Sequence, residues 1–271
     1  MVPVLSISIM FTNMVLAILI PVILLIAVRK KYKASGISFL MGCLTFFVFA
    51  LTLEQIFHVI VLDVLPFGSA IQNNIWMYAI YGGLAAGVFE EVGRYIVMKY
   101  TLKNYHKDSH NAVMFGVGHG GFEMMFILGV AMLNNWLYAI MINSNQTELI
   151  LNEMDAASKV QLEGFFQQLI DTSPFIFLAA PVERISAIIL QIALSVLVWV
   201  AVTKGQKMLL PLAIFLHFFV DALATILNNA GVNIVFLEAI VMAYSIGVAM
   251  FASKYIWTKY CKNEKMVSDI S

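Results

Sequence analysis

Residues 84–98, LAAGVFEEVGRYIVM, set two adjacent glutamates and an arginine, Glu90, Glu91 and Arg94, into an apolar stretch long enough to be a membrane-spanning helix. A charge at bilayer depth costs about 2.5–3.5 kcal/mol on insertion scales, so such groups face a protein interior or a water-filled cavity, where they do chemistry or transport. Two more apolar stretches hold the same kind of residue: His119 and Glu123 within GVGHGGFEMM (116–125), and His217 and Asp221 within FLHFFVDALA (215–224). Three helices with ionisable groups at matching depth predict one shared site.

Composition agrees with a membrane environment. The chain is 61% hydrophobic and 12% charged, with a mean hydropathy of +0.89, whereas a soluble domain is about half apolar and a quarter charged. Its formal net charge of +0, with no basic cluster interleaved with stacking aromatics, excludes a nucleic-acid partner. Cys43 and Cys261 have no CxxC spacing, which argues against a disulfide framework and a thiolate metal site. The apolar N-terminus lacks a basic leader and a small-residue cleavage site, so it reads as a retained first helix.

Runs of about twenty apolar residues are needed to cross the hydrocarbon core. They predict seven helices at 3–28, 36–62, 75–98, 111–141, 174–203, 208–229 and 232–257. Loop charge alternates along the chain. Arg29, Lys30, Lys31 and Lys33 follow the first helix, Lys99, Lys103 and Lys107 the third, Lys204 and Lys207 the fifth, and Lys254, Lys259, Lys262 and Lys265 the seventh. The intervening loops are almost free of Lys and Arg, which places the N-terminus outside and the C-terminus in the cytosol. The expected fold is an all-α, polytopic membrane helix bundle forming one integral domain over 1–271, multi-pass in the cytoplasmic (plasma) membrane. The long acidic connection 143–173 repeats Leu151, Met154, Ala157, Leu162, Phe165 and Leu169 at helical spacing, which predicts an amphipathic helix on the outer surface.

The polar groups fall into two expected layers. Glu90/Arg94, His119/Glu123 and His217/Asp221 are each i,i+4 pairs on one helix face and lie in the cytosolic half. Glu54, His58, Glu183 and Arg184 lie in the outer half and read as a buried ion-pair network that fixes helix register. In the inner layer, a carboxylate paired to Arg94 stays ionised while its neighbour feels burial and like charge, which makes one of the two a general base. A histidine can share a water with that base, and a second can donate to a developing oxyanion. This is a constellation for peptide hydrolysis inside a membrane. A metal would need two or three N/O ligands, for which Glu90, His119 and His217 are the candidates, with zinc the natural ion, although no HExxH is present. Gly116, Gly118, Gly120 and Gly121 let a neighbouring backbone approach.

At these residues the chain resembles a known superfamily. Glu90-Glu91-Val92-Gly93-Arg94 looks like the paired-glutamate motif of the CAAX-protease and PrsW-like intramembrane proteases. Phe115 to His119 resembles their FxxxH motif, and His217 to Asp221 their HxxxN/D motif. The run from Gly118 to Glu123 and the chain length are most similar to the bacterial YhfC family. The resemblance implies Glu90 as the water-activating base, His119 sharing the water, Glu91 and Arg94 orienting the site, and His217 with Asp221 at the oxyanion. It leaves open which of Glu90 and Glu91 is the base and whether a metal takes part. The metal-free version is preferred here, with a membrane-anchored polypeptide as substrate. The alternatives are a transporter or proton channel in which both polar layers line one path, and a non-catalytic membrane scaffold.

Overall fold

The structure is a computed structural model and describes residues 1–262; Lys265 lies outside the described residues. Among them there is no strand, and the long helices are α1 (Val4–Tyr32), α2 (Gly36–Val64), α3 (Ile75–Ile96, continued by Val97–Thr101), α4 (His110–Asn143), α5 (Ala156–Asp171), α6 (Pro174–Thr203), α7 (Leu209–Asn229) and α8 (Ile234–Tyr260). Six of these are long and apolar enough to cross a membrane. The seventh expected span, α3, falls short of that criterion because Glu90, Glu91 and Arg94 interrupt its apolar run.

Local chemistry sets the helix ends. Lys33 turns left-handed (φ 57°) and its N–H closes α1 on the Arg29 carbonyl at 2.9 Å. The Ser35 hydroxyl accepts from Ile37 N at 3.2 Å to start α2, and Asn74 Oδ1 accepts from Trp76 N and Met77 N to start α3. In the long acidic connection, Asp155 Oδ1 accepts from Ala157 N and Ser158 N, both at 3.0 Å, so the expected amphipathic helix begins at Ala156. Phe166 and Leu169 are its buried residues, and Phe165 and Phe166 pack on Tyr138 of α4.

α6 is the centre of the bundle. In its most apolar stretch 72% of residues are buried, against 17–33% in the other five candidate spans. A helix that is apolar all round has no solvent or lipid face to preserve. That is how α6 comes to be enclosed from Ile188 to Ala201 around Trp199 and Leu194.

Glycines bring the site helices into contact. A Cβ on Gly83 would stand 2.7 Å from the Phe218 carbonyl, and one on Gly87 would stand 2.8 Å from that of Ile214, so α3 and α7 touch backbone to backbone. Gly120 admits α6, where a Cβ would lie 3.0 Å from Ile188 Cα, and Gly42 and Gly118 interlock α2 with α4 against the carbonyls of Phe115 and Phe39. The glycines around His119 therefore serve close helix approach, as the sequence suggested. Helix α2 is π-wound over Phe46–Glu54, and α4 over Met125–Gly129 just beyond Glu123. Such wider turns are frequent beside functional sites.

Candidate active site

The α3–α7 and α4–α6 contacts gather the seven inner-layer residues, all but Asp221 buried. Glu90 is the hub. His119 Nε2 lies 2.8 Å from Glu90 Oε2, Gln191 Nε2 donates to the same oxygen at 3.0 Å, and His217 Nε2 stands 4.0 Å from it. Two imidazoles on separate helices thus turn their Nε2 atoms toward one carboxylate oxygen. The His119 ring is held between Phe46, edge-on at 5.3 Å, and Phe115, stacked at 6.3 Å.

Glu91 has a different part. Its carboxylate takes Arg94 Nε at 3.0 Å and Nη2 at 3.2 Å, and Oε1 lies 2.9 Å from His217 Nδ1. Arg94 also donates to the Gln191 carbonyl at 3.0 Å, to the Gln191 side-chain oxygen and to Ser195 Oγ. Arg94 therefore pairs with Glu91 rather than with Glu90: on a helix, i,i+3 neighbours share a face as well as i,i+4 neighbours. Glu91, Arg94 and Gln191 form a rigid bracket, and the bracket aims His217.

Gln191 and Ser195 were not foreseen. Each is a polar residue inside the otherwise apolar run 188–202, where an amide needs a buried partner, and that contrast was the available signal. Gln191 Nε2 also donates to Glu123 Oε2 at 3.0 Å, so one amide bridges Glu90 and Glu123.

The division into two separate layers is corrected by the structure. Arg184 reaches Glu123 Oε1 at 2.8 Å and also binds Glu183, which ties those two residues to the inner site rather than to Glu54 and His58. Glu123 stands one turn beyond His119 on α4, and that turn brings it level with Arg184. Glu54 and His58 do pair, at 3.2 Å, and His58 Nδ1 meets Tyr81 Oη at 2.8 Å. Glu54 also interacts electrostatically with Glu90, His217 and Asp221, so it borders the same site.

Beside this cluster is a cavity of about 100 Å³ lined in part by Glu123, Glu183, Arg184, Gln191, His217 and Asp221. It has room for water and the polar partners to hold it. Asp221 is on the open side: its side chain is 41% exposed, and Oδ2 is 3.5 Å from His217 Nε2.

A protein-family profile described as "YhfC intramembrane metalloprotease" matches residues 16–242. The chain belongs to the YhfC family. It is also 41% identical, over 203 residues, to the uncharacterized membrane protein YhfC of Bacillus subtilis (strain 168), covering 74% of this chain and 77% of that one. No solved structure matches.

The family description names a metal, so the preference for a metal-free, glutamate-only site finds no support in it. Among the described residues no group of three His, Cys, Asp or Glu side chains forms a ready-made metal cage. The donor chemistry nevertheless fits. Glu90, His119 and His217 make the two-histidine, one-carboxylate set of hydrolytic zinc sites. His217 hydrogen-bonds Glu91 through Nδ1, the kind of outer-shell contact that turns the other ring nitrogen, Nε2, toward Glu90 and Asp221.

Proposed function

We propose that this YhfC-family membrane protein is an intramembrane endopeptidase that hydrolyses a peptide bond of a membrane-anchored polypeptide. The observation that carries this reading is the convergence of His119 and His217 on Glu90 beside a small polar cavity within the bundle. An arrangement that only fixed helix register would need paired charges. It would not need two histidines aimed at one carboxylate through a bracket such as Glu91–Arg94–Gln191.

Glu90, His119 and His217 are the residues that would hold a metal; when bound, it supplies Lewis-acid polarisation of the scissile carbonyl and a more acidic water. The chain's own groups do the rest. Glu91 holds the His217 ring in one orientation through Nδ1, and Gln191 keeps the Glu90 and Glu123 carboxylates in place. Of the three carboxylates lining the cavity, Glu123 and Glu183 are paired with Arg184, which leaves Asp221, beside His217 and the most open of the seven inner-layer residues, placed to take the proton of an attacking water. The surrounding helices exclude bulk water, which strengthens each of these electrostatic interactions.

The test is cleavage of membrane-anchored reporter peptides by the purified protein in lipid, with wild type set beside Glu90→Gln, His119→Ala and Asp221→Asn, before and after chelation. Loss of cleavage in well-folded Glu90→Gln and His119→Ala supports the protease. Undiminished cleavage in both sinks it.

A further inference from the structure

A second cavity, of about 520 Å³, opens between the starts of α6 and α8, at the end of the bundle that bears the acidic 143–173 connection. Phe175, Ile176, Val182, Ile234, Val235 and Met242 give it apolar walls, and Glu238 also lines it. Glu238 is only 4% exposed, and its Oε2 is buried with no hydrogen-bond partner. A buried carboxylate oxygen without a partner is costly and calls for a donor.

Among the described residues none donates to that oxygen. The nearest cation, Arg184, is already engaged by Glu123 and Glu183. The connection that leads into α6 is negative as well: residues 143–173 contain Glu148, Glu153, Asp155, Glu163 and Asp171 against a single Lys159. The groove meets the catalytic cavity along two neighbouring pairs of positions. Val182 faces the groove and Glu183 the cavity, while Glu238 faces the groove and Leu237 the cavity. A chain seated in the groove would lie one residue away from the wall of that cavity on both helices.

We propose that this groove is the docking site for the substrate's membrane-spanning segment, and that Glu238 selects a segment with a basic residue at the end nearest the 143–173 connection. The occupant is an apolar peptide because the walls are apolar at membrane depth. It is cationic because the unpartnered Glu238 carboxylate and the acidic connection leading into α6 complement that charge. The proposal rests on reading the protein as a peptide hydrolase, and its test is kept separate from cleavage.

The probe is a fluorescent membrane-spanning peptide of alternating leucine and alanine with one terminal lysine, compared with a twin carrying glutamine in its place. Binding is measured to the full-length Glu90→Gln protein in phosphatidylcholine nanodiscs, where turnover is blocked. The lysine peptide is expected to bind at least about tenfold more tightly than its twin. Adding Glu238→Gln erases that difference, and adding Ala239→Trp, at an exposed position on the groove wall, weakens both peptides. Equal binding of the twins, a preference that survives Glu238→Gln, or binding indifferent to Ala239→Trp overturns the proposal. Should Glu238→Gln fail to fold, Ala239→Trp decides alone. Cleavage by wild type without lysine preference would sink the groove and spare the protease, and lysine preference without any cleavage would do the reverse.

Discussion

Glu90 and Glu91 are neighbours in sequence and opposites in circumstance. Glu91 is clamped by Arg94 and turned toward His217, while Glu90 faces two imidazoles and an amide. Substituting Glu90 by Gln removes the charge that both imidazoles face and is therefore expected to abolish cleavage with little loss of folding, since an amide can keep the contact with His119. Arg94→Ala strands a buried carboxylate and should cost about 3–5 kcal/mol, seen as a fall in melting temperature in detergent. Arg94→Lys should recover only part of it, because an ammonium cannot reproduce the forked contacts to Glu91, Gln191 and Ser195. A metal assay separates ligands from their supports: metal bound by the purified protein should be lost in His119→Ala and His217→Ala and kept in Glu123→Gln. Retention in both histidine variants would show that these side chains hold no metal. The ionisable members of the site were legible in the sequence because charge inside an apolar run is conspicuous. Gln191 was not, because an uncharged amide costs less there and depth alone cannot show that it bridges Glu90 and Glu123.

At the scale of the helices, glycine contacts set the distances the chemistry depends on. Gly87 lets α7 lie against α3 three residues before Glu90. Gly87→Leu should force those backbones apart and abolish cleavage together with a drop in melting temperature, whereas Gly247→Leu on α8, where nothing stands within 4 Å, should leave both unchanged. The surface helix α5 provides a contrast. Hydrogen bonds from the Ser158 hydroxyl and the backbone N–H groups hold the Asp155 carboxyl below its ordinary pKa. The stability it lends is therefore present above the unfolded carboxylate pKa and fades as pH falls through the lowered folded value. Asp155→Ala should speed amide exchange across 156–171 and leave cleavage intact. The all-helical character was readable from the apolar runs. The π-wound turns were not, because an extra residue in a turn alters no hydrophobic count.

For the molecule as a whole, loop charge predicts a definite orientation, with the 204–208 turn in the cytosol and the 143–173 connection outside. Cysteines placed at Lys207 and Glu163, in a chain whose Cys43 and Cys261 have been replaced, should react with an impermeant maleimide from opposite sides of sealed vesicles. Labelling from the same side would refute the topology. What the sequence could not convey is that α6 sits at the centre, since enclosure is a property of seven helices together and not of one. That arrangement bears on how the protein is made. Its reactive groups are distributed from Glu90 to Asp221, and the groove wall extends to Met242. A nascent chain emerging from the ribosome thus has no complete site while its first four helices enter the bilayer. The proposed hydrolytic site is assembled only when the late helices close around α6, and a half-made copy would then be unable to attack its neighbours in the membrane.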